Sequence, residues 1–89
     1  MEENYDIAEE ARLELYKAKY FFEFLGKDEE FLDDFLHQLR VILQMPYGFQ
    51  IRYRNVLIVK FEKFDFTIHY TVYKEQIIIL HILNQKQNF

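Results

Sequence analysis

At 89 residues, 51% hydrophobic and 19% aromatic, the chain has the size of one domain, and a domain this small buries roughly 60 to 65 % of its unfolded surface, so every amphipathic element must serve one core. The absence of cysteine excludes disulfides and thiolate metal centres, and no apolar run approaches the ~20 residues of a membrane span, so a cytoplasmic protein without cofactors or a membrane partner is expected. The net charge of −4 is unevenly spread: residues 1–37 carry twelve acids and four bases, residues 38–89 three acids and seven bases, a balance that argues against direct, non-specific nucleic-acid binding.

Asp6 followed by Glu9 has the spacing of a capping box and predicts a helix start near Ile7. Ala8, Ala11, Leu15, Ala18, Phe22 and Leu25 then recur at alternating spacings of three and four, one apolar stripe of a helix over about 7–25. Gly26 supplies a left-handed residue to end it. Asp28 reads as the N-cap of a second helix over about 29–45, with Glu29 and Glu30 set against the positive end of its dipole. Phe31, Leu32, Phe35, Leu36, Leu39, Ile42 and Leu43 form its apolar stripe, while Asp33, Asp34, His37, Gln38 and Arg40 fall on the side expected to face water; Pro46 stops it.

Three strands are expected next, over about 52–63, 66–73 and 76–84, joined by short spacers at Phe64-Asp65 and Lys74-Glu75. In the middle strand Phe66, Ile68, Tyr70 and Val72 alternate with Thr67, His69, Thr71 and Tyr73, so one face should be covered and the other partly wet. The continuously apolar Ile77 to Leu80 predicts a last strand that is covered on both faces or central. The expected fold is therefore α+β, an antiparallel helical hairpin on one face of a three- or four-stranded antiparallel sheet, in one domain spanning 1–89.

The ordered set Ala11-x-x-Glu14-Leu15-x-x-Ala18-x-x-Phe21-Phe22-Glu23, then Arg52-Tyr53-Arg54, Phe64-Asp65-Phe66-Thr67-Ile68-His69-Tyr70 and Ile77 to Leu83 resembles the RelE/ParE toxin superfamily of bacterial toxin-antitoxin systems. The segment from Phe64 to Tyr70 is most similar to the Phe-Pro-Tyr-x-Ile-x-Tyr stretch of the ParE-like branch, with Asp65 in the proline position. The resemblance implies the same α+β fold and a strand before the first helix, for which residues 2–7 are available and where the capping signal competes. If that strand is absent, an exposed sheet edge is left for partners or for a homodimer.

It also implies a function: a toxin of a type II toxin-antitoxin (plasmid stabilisation) system, acting by protein binding, with DNA gyrase as a target and a cognate antitoxin as partner. RelE-like relatives that cut mRNA on the ribosome use basic and acid-base groups whose places here resemble Thr67, Asn84 and Gln87. None of these supplies a guanidinium or imidazole, so no catalytic residue is assigned; the nuclease and a non-toxic interaction module of the same fold stand as alternatives.

Arg52, Arg54, Lys60 and Lys63 are the candidate binding residues. Arg52, Arg54 and Lys60 share one parity if the strand is unbroken, giving a basic sheet face for an acidic antitoxin segment or a target; the plain alternative is a solvated face. His37, His69 and His81 show no metal-ligand spacing and no local carboxylate partner, so no metal site is expected. His69 and His81 are possible cross-strand neighbours.

Overall fold

The computed structural model describes residues 5–48, 51–53 and 55–85, the segment 51–53 through its backbone alone. Its elements are β1 (Tyr5–Ile7), α1 (Glu9–Phe24), α2 (Asp28–Gln44), β2 (Ile51–Tyr53), β3 (Val56–Lys60), β4 (Phe66–Tyr73) and β5 (Gln76–Asn84). The α+β architecture is the expected one, two helices packed on a sheet, but the sheet is mixed and has five strands in the order β1-β5-β4-β3-β2.

The first difference lies at the start. Residues 5–7 form a strand parallel to β5, Tyr5 opposite Ile77 and Ile7 opposite Ile79, and the Ala8 N–H extends the ladder to the Ile79 carbonyl at 2.9 Å. This pairing overrides the capping box: Asp6 Oδ1 accepts from its neighbour Ile7 N–H at 3.0 Å, and α1 starts only at Glu9 behind an extended Ala8. A strand that satisfies several backbone groups at once outcompetes one side-chain cap. β5 therefore lies between β1 and β4, the central one of the two placements its apolar run allowed.

α1 closes with Gly26 at φ 69°. The Gly26 N–H donates to Glu23 O at 3.1 Å and the Lys27 N–H to Phe22 O at 2.9 Å, the paired bonds of a Schellman motif. Lys27, not Asp28, is the N-cap of α2, so Asp28 joins Glu29 and Glu30 in the first turn, where all three face the helix dipole.

The strand expected over 52–63 is two strands. β2 and β3 pair antiparallel, Ile51 opposite Leu57 and Tyr53 opposite Val56, around a turn in which Asn55 has φ 65°. Asn tolerates this left-handed conformation better than most residues. The loop between β3 and β4 is also longer than Phe64-Asp65, running over residues 61–65. Lys74 and Glu75 do form the expected two-residue connection, with φ 52° and 65°, the backbone of a type I′ hairpin turn.

Register explains the core. His69 pairs with His81 and Tyr70 with Ile79, so Leu80 is an extra residue, a β-bulge. Inward positions on β5 thus run Ile77, Ile79, Ile82, all 3% exposed or less. They meet Ala11, Leu15 and Ala18 of α1 and Phe31, Phe35, Leu39 and Ile42 of α2 in one core. Small alanines let α1 approach closely.

At one end Phe22, Phe31, Phe61, Phe64 and Phe66 stack and edge together, with centroids 4.8 to 6.0 Å apart. At the other, buried Tyr70 donates its hydroxyl to Pro46 O at 2.7 Å, fastening the chain that leaves α2. Desolvation pushes the Tyr70 phenol up to about 12.

Asp34 departs most from expectation. It is 5% exposed and its carboxylate accepts the backbone N–H groups of Glu62 at 3.0 Å, Lys63 at 2.6 Å and Phe64 at 3.2 Å. Gln38 beside it is buried too, with its amide nitrogen 3.5 Å from Asp34 Oδ1. The supposed wet side of α2 therefore covers the β3–β4 loop.

Candidate interaction surface

The four basic residues singled out from the sequence do not lie along one strand. Arg54 lies outside the described residues, and Arg52 is described only as a backbone position in β2. The turn at Asn55, between β2 and β3, breaks the continuous strand on which the parity of Arg52 with Lys60 rested. Lys60, at the end of β3, is exposed and faces Asp65 across the loop, 3.6 Å away. Lys63 shares a cleft with Glu30, Asp33, Asp34, His37 and Glu62, an acidic setting rather than a basic one. Both are exposed, and a surface ion pair such as that of Lys60 contributes little to stability.

A different surface stands out. On α1, Leu13, Tyr16, Tyr20 and Phe24 follow one another at spacings of three, four and four, and they are 55%, 58%, 67% and 82% exposed. Phe21 and Leu25 flank them, also more than half exposed. The rings of Tyr20 and Phe24 meet edge-on, 6.1 Å between centroids. α1 is thus apolar on two sides: Ala11, Leu15 and Ala18 face the core, and this ridge faces out. Contiguous exposed aromatics of this kind mark interaction sites far more often than single exposed apolar residues do. The sequence signal was an apolar residue at nearly every other position from Leu13 to Leu25, which a search for one stripe passes over.

Beside the ridge, α1 crosses the edge of β5 beyond the point where β1 ends. Glu14 Oε1 accepts the Ile82 N–H at 2.8 Å, and Oε2 lies 3.4 Å from His81 Nδ1. An edge N–H that β1 is too short to reach is thereby satisfied. Glu14 also borders an open cleft of about 380 Å³ with Lys17, Ala18, Phe21, Phe66 and Ile82. His69 is opposite His81, as expected, with the rings perpendicular and 6.4 Å apart.

No family model matches the chain, and no curated protein matches it by sequence. Solved structures do: a chain described as "Chromosomal ParDE TA system from P. aeruginosa" aligns with a TM-score of 0.75 over 91% of this chain and 94% of that one, at 20% identity. The chain has a ParE-like fold. The resemblance noted in the sequence therefore holds at the level of architecture, with β1 in place before the first helix.

Thr67, which the resemblance set at the place of a nuclease's arginine, is a buried residue of β4. Thr67 is 3% exposed, its Oγ1 lying 3.2 Å from His69 Nε2. Asn84 closes β5 opposite Phe66; Gln87 lies outside the described residues. Among the described residues no helix is long and apolar enough to cross a membrane.

Proposed function

We propose that this chain is the toxin component of a toxin-antitoxin pair, acting by protein binding rather than bond chemistry, and that its cognate antitoxin covers the outward ridge of α1. The ridge carries the reading: Leu13, Tyr16, Tyr20 and Phe24, four large side chains along one face of α1, each more than half exposed, in a fold shared with a chain of a ParDE system. Burying such a surface is what holds an obligate partner. A basic contact from Arg52, Arg54, Lys60 and Lys63 to an acidic antitoxin segment belongs to the same proposal, as does DNA gyrase as the target, which rests on the resemblance alone. The larger ridge competes with the short β1 edge as a surface for homodimer formation.

The test is tight induction in a bacterial host, alone and with the neighbouring small open reading frame. Growth arrest relieved by co-expression is expected, and Tyr20→Glu with Phe24→Glu should abolish the relief while leaving the protein folded. Cleaved transcripts after induction would instead support the ribosome-dependent endoribonuclease. Unimpaired growth with abundant folded protein, in hosts with and without the native target, would leave the non-toxic interaction module.

A further inference from the structure

Glu10 and Glu14 stand one turn apart on α1, and β5 brings His81 against them; one donor atom from each lies within 4.8 Å of the other two. We propose that Glu10, Glu14 and His81 bind a divalent cation of the zinc class, clipping α1 to β5, with water completing the coordination.

Three features of the geometry support this. The donor set is mixed and comes from two elements, one imidazole and two carboxylates, which suits Zn²⁺ better than Mg²⁺ or Ca²⁺. The separation of His81 Nδ1 and Glu14 Oε2 is 3.4 Å, long for a charge-assisted hydrogen bond, where about 2.7 to 2.9 Å is usual. It equals the edge of a tetrahedron around zinc, about 3.4 Å for metal-ligand distances near 2.1 Å. The spacing of these two atoms is therefore one that a tetrahedral ion requires.

Glu14 is also held in place before any metal arrives. The Ile82 N–H bond occupies Oε1 and leaves Oε2 directed at His81, the kind of outer contact that orients metal ligands. His81 sits on a strand paired with β4, so the imidazole comes from a stiff element. Glu10 is exposed and closes on the ion by a side-chain rotation. In the competing reading, a simple Glu14–His81 pair at 3.4 Å, Glu10 takes no part. No histidine or acid spacing in the sequence announces the site, because 67 residues separate Glu14 from His81.

The experiment is calorimetric titration of untagged protein with zinc chloride in a non-chelating buffer, paired with thermal melts and imidazole NMR signals. One equivalent bound, a raised Tm and a shifted His81 signal are expected. Glu10→Gln, an exposed change that leaves the fold intact, and His81→Ala should each weaken binding at least about tenfold, as loss of a ligand does. Glu14→Gln, which retains an oxygen for the Ile82 N–H, should do the same. The site is refuted by no uptake at millimolar zinc, by undiminished uptake in both Glu10→Gln and His81→Ala, or by magnesium binding as tightly as zinc.

Discussion

The carboxylate of Asp34, on α2, holds the backbone N–H of Lys63, in the loop between β3 and β4, at 2.6 Å. Glu62 and Phe64 donate to the same side chain, so one buried acid satisfies three successive amides of a loop that has no partner strand. The contact joins the helical layer to a sheet turn some thirty residues on and sets where Phe61, Phe64 and Phe66 enter the core.

Replacing Asp34 by Ala should be among the most destabilising single changes outside the phenylalanine cluster. Three buried or half-buried amides lose a charged acceptor, each such bond contributing roughly 1.5 to 3 kcal/mol in isolation, with water recovering part; a net loss of about 3 kcal/mol is expected in urea or guanidinium unfolding. Asp34→Asn, which keeps one acceptor oxygen, should lose about half as much. A loss under about 1 kcal/mol for Asp34→Ala would show that the loop is held by its aromatic residues alone.

Phe31 is fully buried and stacks on Phe22 and Phe61 at 5.0 and 5.3 Å. Phe31→Ala should cost about 3 to 5 kcal/mol, enough to unfold much of a domain of ordinary stability. Phe31→Leu should retain most of the fold. Near-ultraviolet circular dichroism and the unfolding midpoint together report both.

The Lys74-Glu75 turn places two ordinary residues at positive φ, where Asn and Gly are at ease. Lys74→Asn with Glu75→Gly should therefore stabilise the β4–β5 hairpin, by about 1 kcal/mol or more. A lowered Tm in the double variant would count against the type I′ geometry.

Tyr70 gives the fold an alkaline limit. Its phenol ionises at 10.0 when free and at about 12 in the folded chain, because burial disfavours the phenolate. The folded state thus binds the proton more tightly than the unfolded one: full stability holds below pH 10 and is lost as pH climbs from there to about 12. The gap corresponds to on the order of 3 kcal/mol. Tyr70→Phe should flatten this part of the pH profile and cost about 1 kcal/mol at neutral pH through the lost bond to Pro46. An unchanged alkaline profile in Tyr70→Phe would assign the loss of stability to other groups.

The α1 ridge should behave as a surface made for a partner. Tyr20→Glu and Phe24→Glu are expected to change the stability of the isolated chain by less than about 0.5 kcal/mol, since neither side chain packs on the core, and to reduce self-association in light scattering. Marked unfolding of either variant would mean that the ridge is structural.

Much of this protein was legible in its sequence because the physics was local. The alternation Phe66, Ile68, Tyr70 identified β4 and its inward face, the apolar run from Ile77 identified a strand either covered on both faces or central, and Gly26 marked the end of α1. What tertiary structure alone decided depends on partners distant in sequence. Asp6 and Glu9 carry a good capping signal, but pairing with Ile77 to Ile79 made a strand of residues 5–7. Asp34 fits a solvated helix face until a loop supplies three N–H groups. The bulge at Leu80 shifts the inward set on β5 by one residue, which no period-two reading can foresee. α1 offers two apolar stripes of similar quality, and periodicity cannot rank them: the alanine stripe faces inward because only small side chains let the helix lie close to β5, and the larger aromatics are left outside.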